Sequence, residues 1–187
     1  MKSPFNFIVK PLNGRRYDNV KDVGGVDIIT SVSTEDHTVS NRFAEVVSTP
    51  VNYDGEISEG DTLLVHHNVF KYYYDMKGRQ KSGRSYLFDD LFILDNDQFF
   101  MYKKDGKWKV FGDYCFIKPA EKEERYLHSS GSEQPLVGYV KYIDEYLSSM
   151  GVKDGDKVSY LPHSEYPFTV DGEKLYRMKS KRVALWI

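Results

Sequence analysis

Apolar residues fall along this chain in short groups cut by turn residues, and where they alternate they do so with a period of two. Phe5 to Pro11 is such a group and stops at a proline, which predicts a short strand. Arg42 to Val47 and Asp61 to Val69 predict two more, joined through Pro50, Asn52 and Asp54-Gly55 as a hairpin. Tyr72 to Ser85 is polar and basic, with Gly78 and Gly83, and reads as an excursion before strands at Tyr86 to Leu94 and Gln98 to Tyr102. An Asp105-Gly106 turn follows, then strand patterns at Trp108 to Phe111 and Tyr114 to Pro119. Tyr139, Tyr142, Ile143, Tyr146, Leu147 and Met150 are spaced by threes and fours, so a short helix and a strand both remain open over part of 139–150. Gly172 to Met178 and Arg182 to Ile187 close the pattern, the last as a strand in which the chain ends.

One region breaks this rhythm. Residues 12–41 show no sustained period and read as a long, mobile loop, a length that inside a compact domain is usually functional or disordered. Within it lies Gly24-Gly25-Val26-Asp27-Ile28-Ile29-Thr30. Val26, Ile28 and Ile29 sit in polar, strand-poor surroundings that offer them no core, so they read as side chains presented to a partner. The competing reading is an ordinary core strand.

The strand groups also repeat. Ile8-Val9-Lys10-Pro11, Phe43-Ala44-Glu45-Val46-Val47 and Glu59-Gly60-Asp61-Thr62-Leu63-Leu64-Val65 recur in order. Their second versions are Phe116-Ile117-Lys118-Pro119, Val137-Gly138-Tyr139-Val140-Lys141 and Asp154-Gly155-Asp156-Lys157-Val158-Ser159-Tyr160. Two related β-domains follow, at residues 1–107 and 108–187. The second copy's loop, 120–136, is rich in Glu, Ser and Gly and lacks the Gly-Gly-apolar cluster. Domains this small bury a modest share of their surface, which favours packing against other subunits.

Composition changes this picture little. A net charge of −2 with 29% charged residues gives no general attraction to nucleic acid or anionic membrane. Fifteen Tyr and 11 Phe favour strands. A single Cys115, no Cys-x-x-Cys pair, no signal-like start and no apolar run of about 20 residues predict a soluble protein of the cytoplasm. His66-His67 face opposite ways on a strand and cannot easily share a metal. Glu35-Asp36-His37 and Asp89-Asp90 have no nucleophile or ligand spacing beside them and read as solvated loop charge. Cys115 reads as a small strand residue. Lys71-Tyr72-Tyr73-Tyr74 with Arg79, Lys81 and Arg84 combines bases and aromatics as single-strand nucleic-acid surfaces do, although the acidic remainder speaks against that use.

In order, a strand ending in Lys-Pro, a long glycine-containing loop, a Gly-x-Val strand, a Lys-x-Gly-Asp turn, a Gly-Glu-x-Leu strand and a terminal apolar strand resemble the GroES co-chaperonin family. Copy two carries the back half through Val152 to Val158, Asp171 to Tyr176 and Val183 to Ile187. Copy one carries the loop, since Gly24 to Thr30 is similar to the segment with which co-chaperonins dock on their chaperonin. The resemblance spans nearly the whole chain, with Asp27 interrupting the apolar tripeptide.

It implies an all-β protein of two tandem GroES-like barrels, with no cofactor, metal or catalytic residue, assembled as a homo-oligomeric ring. That ring caps a GroEL-type chaperonin and closes its chamber over an unfolded client. By the same resemblance Gly24, Gly25, Val26, Ile28 and Ile29 dock, while Phe7, Ile8 and Val9 pair with Ala184, Leu185, Trp186 and Ile187 of a neighbour. The zinc-dependent dehydrogenases that share the barrel need a Gly-x-Gly-x-x-Gly fingerprint and cysteine ligands that this sequence lacks. The rival expectation is a structural or nucleic-acid-binding β-barrel module, of a virus particle for instance.

Overall fold

A computed structural model describes residues 1–17, 20–29, 39–122 and 133–187; the side chains of 20–23 and 27–29 are not described. Parts of both expected loops therefore lie outside the described residues: 18, 19 and 30–38, which hold Thr30 and Glu35-Asp36-His37, and 123–132. The chain is all-β and divides into two compact units, Met1–Lys109 and Val110–Ile187.

In the first unit β1 (Phe7–Pro11), β4 (Phe43–Ser48), β5 (Thr62–Val65), β8 (Phe92–Leu94), β9 (Phe99–Lys104) and β10 (Lys107–Val110) form one antiparallel sheet, ordered β10-β9-β5-β4-β1-β8. Two hairpins, β2 (Val20–Val23) with β3 (Val26–Ile29) and β6 (Tyr72–Tyr74) with β7 (Gln80–Ser82), form separate two-stranded sheets. β1, β5 and β9 carry the consecutive buried residues Phe7 to Val9, Leu63 to Val65 and Phe99 to Tyr102 because these parts lie inside the sheet with both faces covered, whereas β4 alternates. Their aromatics make the core: the Phe7 ring meets Tyr53 and Phe99 edge-on at 4.9 and 5.4 Å, and Phe70 meets Phe92 at 4.9 Å.

The second unit holds β11 (Tyr114–Glu121), β12 (Glu133–Tyr142), α1 (Glu145–Ser149), β13 (Lys157–Tyr160), β14 (Tyr166–Val170), β15 (Glu173–Lys179) and β16 (Val183–Trp186), with sheet order β14-β15-β11-β12-β13-β16. The contest between helix and strand resolves by division. Tyr139 and Tyr142 continue β12, and the helix starts only where the Asp144 carboxylate accepts the Leu147 N–H at 3.0 Å. Its Leu147 then joins Cys115, Ile117, Val140, Val152, Val158, Tyr160 and Met178 in the core.

Turned end for end, the second sheet reads β16-β13-β12-β11-β15-β14, and its first five strands occupy the places of β9-β5-β4-β1-β8. The repeat extends to single bonds. Val46 N–H donates to Asp61 O at 2.9 Å, Gly60 N–H to Val46 O at 2.8 Å, and Ser58 N–H to the Asp61 carboxylate at 2.8 Å. Val140, Asp156, Gly155 and Lys153 make the same three bonds at 2.9, 2.8 and 2.8 Å. The ladder also bulges at matching points, between Ile8 and Val9 and between Phe116 and Ile117. By backbone pairing both sheets are open rows, so the expected barrel closure is not seen in the ladder.

Candidate functional site

The Gly-Gly segment is a hairpin, where the sequence suggested a loop without strands. Gly24 and Gly25 have φ of +66° and +85°, and the ladder around them runs Val23↔Val26, Asp22↔Asp27, Lys21↔Ile28 and Val20↔Ile29. A two-residue turn with both φ positive matches the twist of its strands, and glycine adopts it without steric cost. The composition misled because Val20-Lys21-Asp22-Val23 carries two charges and only its partner strand completes the pattern. β2 and β3 pair with neither six-stranded sheet. Val26 is 62% exposed, and Ile28 and Ile29 stand in β3 with side chains outside those described.

The base of this segment is closed. Tyr17 and Ser40 form an antiparallel bridge, and the Asn41 N–H donates to Arg16 O at 3.0 Å. The buried Asn41 side chain donates to Leu12 O at 3.0 Å and Arg15 O at 2.7 Å, and accepts the Phe43 N–H at 2.9 Å. Ser40 Oγ donates to His67 O at 2.9 Å. Tyr17 accepts the Tyr72 N–H at 3.3 Å, and burial raises its hydroxyl pKa above the ordinary value. The neck thus holds both ends of residues 18–39 on the sheet, a role the sequence did not mark because Asn41 has its partners at long range.

Phe7, Ile8 and Val9 require a correction. β1 is an interior strand, hydrogen-bonded to β4 on one side and β8 on the other, and all three side chains are buried. They have no free edge to offer a neighbour. Ala184, Leu185, Trp186 and Ile187 do: among the described residues β16 pairs with β13 alone, and all four are exposed. The other sheet ends are protected in different ways: β10 carries Lys107 and Lys109, β14 carries Pro167, and the apolar β8 is covered by Ser85 and Tyr86, through the Tyr86–Phe92 bridge and the Ile93 N–H donating to Ser85 O at 2.6 Å. β16 has neither a charge nor a proline.

The remaining candidates among the described residues lie apart from one another along the chain. His66 and His67 lie in a turn after β5 and not on a strand, so their rings stack at 4.1 Å, and His66 Nδ1 accepts the Asn68 N–H. Asp90 pairs with Arg16, whose guanidinium lies 4.9 Å from both the Tyr86 and Phe92 rings. Cys115 is fully buried, and burial, then the Asp144 carboxylate, pushes its thiol up to about 12, away from the thiolate a nucleophile needs. No cluster of three metal-ligating side chains and no helix long and apolar enough to cross a membrane occurs among the described residues. Against known proteins, the chain matches no family model and no curated protein.

Proposed function

We propose that this protein is a co-chaperonin of the GroES kind, a ring-forming lid for a GroEL-type chaperonin in the cytoplasm, docking through the β2–β3 hairpin. The observation that carries the reading is a glycine-turned hairpin with Val26 exposed, outside both sheets and held on a closed neck. A lone two-stranded hairpin is marginal in water, so docking orders it at an entropic cost that keeps each contact reversible. Burying one Val or Ile side chain is worth about 1.5–3 kcal/mol before that cost. Several such hairpins in one ring bind through effective concentration. Pairing of β16 with an extended strand of a neighbouring copy, other than its β1, supplies the ring contact.

Native mass spectrometry with a purified GroEL-type chaperonin and ATP tests both parts. Ile28→Asp with Ile29→Asp abolishes the complex and leaves the oligomer intact, while Leu185→Asp with Trp186→Asp dissociates the oligomer. The structural or nucleic-acid-binding reading predicts no complex with the unsubstituted protein.

A further inference from the structure

Copy one contains a second insertion that the lid reading does not use. β6 and β7 form a hairpin between β5 and β8, whereas the corresponding stretch of copy two, between β13 and β15, supplies β14 to its sheet. Lys71 to Arg84 carries five basic residues against one acid, a net +4 in a chain of net −2. That acid is consumed within the tip: the Asp75 carboxylate accepts the Lys77 and Arg79 N–H groups at 2.8 and 2.9 Å and the Arg79 guanidinium at 3.1 Å. Lys77, Lys81 and Arg84 are exposed and pair with no carboxylate among the described residues. Tyr73 and Tyr74 are about half exposed and Met76 wholly so. Tyr, Met and Arg are the residue types enriched at protein interfaces.

The hairpin also stands at the neck of the docking segment. The Tyr17 ring meets Tyr72 edge-on at 4.9 Å, and Arg16 Nη1 donates to Ser82 Oγ at 3.0 Å. Residues 16 and 17 precede β2 in the chain by four and three positions. We infer that the β6–β7 hairpin is a second docking element, placing Lys77, Lys81 and Arg84 against an acidic protein surface of the same partner that receives β2–β3. The inference rests on the lid reading. Exposed interfacial charges act mainly on association rate and salt dependence, which assigns β6–β7 to capture and β2–β3 to retention.

The test is Lys77→Glu with Lys81→Glu and Arg84→Glu, titrated against a purified GroEL-type chaperonin with ATP at low and high salt, with native mass spectrometry confirming the oligomer. The expected result is binding weakened about tenfold at low salt, mostly in association rate, with a flatter salt dependence. The Ile28→Asp, Ile29→Asp protein loses binding at every salt. Parental affinity and salt dependence in the triple variant overturn the inference while sparing the lid. Parental binding of a labelled single-stranded oligonucleotide, lost in the triple variant whose chaperonin affinity is unchanged, overturns it in favour of nucleic acid. If the unsubstituted protein does not bind chaperonin, both readings fall.

Discussion

Met101 in the first unit and Leu185 in the second hold the same place in the repeated sheet, opposite Leu64 and Ser159 respectively, yet Met101 is 0% exposed and Leu185 64%. Their neighbours Tyr102 and Trp186 differ in the same way, at 9% and 56%. The difference lies beyond the row. In unit 1 β10 continues the sheet past β9 and brings the buried Trp108, whose ring lies 5.9 Å from Phe43 and 5.4 Å from the Lys103 ammonium. No strand of the described residues does this for β16. The repeat therefore shows what a finished end of this sheet looks like, an aromatic-bearing strand edged with lysines.

Removing the cover is the strongest way to break that contrast. Trp108→Ala takes away the buried aromatic beside Phe43 and Lys103 and leaves β9 without the cover that β16 lacks among the described residues. Unit 1 is expected to lose about 3–5 kcal/mol, read as a lower urea midpoint. Cys115 separates the two units in the same experiment, because its buried thiol is alkylated only when unit 2 opens. The unfolding of unit 1 followed by Trp108-independent probes should shift, and the denaturant dependence of Cys115 alkylation should not.

A second contrast sits inside the matched rows. Gly138 pairs with Pro119 as Ala44 pairs with Pro11, but the two sites differ in room. A Cβ at Gly138 would fall 2.4 Å from Ile117 Cγ2 and 2.5 Å from Lys118 O, and a backbone carbonyl in an interior ladder cannot swing aside. Gly138→Ala is expected to destabilise unit 2 by about 1–3 kcal/mol, and Ala44→Gly to cost unit 1 only about 0.5–1 kcal/mol. Equal costs in urea titrations of the two variants would mean that the room at this position is alike in both units, as the matched hydrogen bonds are.

These contrasts explain what was legible in the sequence. Strand positions, the paired blocks and the Asp105-Gly106 turn are local: apolar alternation and left-handed turn residues mark them wherever they occur, and Asp105 does have a φ of +49°. The partners of a strand are not local. Phe7-Ile8-Val9 has the composition of an edge or a centre equally, and only β8, contributed from residues 92–94, closes its second side. The neck fails for the same reason, since Asn41 answers carbonyls 26 and 29 residues back. The Gly-Gly cluster was visible as an anomaly, whereas its hairpin form depends on Val20 to Val23, whose Lys21 and Asp22 disguise a strand. β6–β7 read as an excursion because three tyrosines beside a basic run fit a loop as well as a hairpin.

The smallest expected effect concerns a motif both units arrive at by different routes: a carboxylate shared between a lysine ammonium and a tyrosine hydroxyl. In unit 1 Glu56 accepts from Lys109 and Tyr102; in unit 2 Glu133 accepts from Lys174 at 2.8 Å and from Tyr176. The hydrogen bond from Lys174, then that from Tyr176, holds the Glu133 carboxyl below its ordinary value. A depressed carboxyl stabilises the fold above the ordinary glutamate range and loses that contribution as acid protonates it. The pair is partly exposed, so Glu133→Gln should cost less than about 1 kcal/mol at neutral pH. The deficit relative to the parent should shrink as the pH falls below the ordinary glutamate range, in urea midpoints compared across that range. A deficit that stays constant on acidification would assign the cost to packing at the start of β12, and the charge would then contribute nothing to joining β12 and β15.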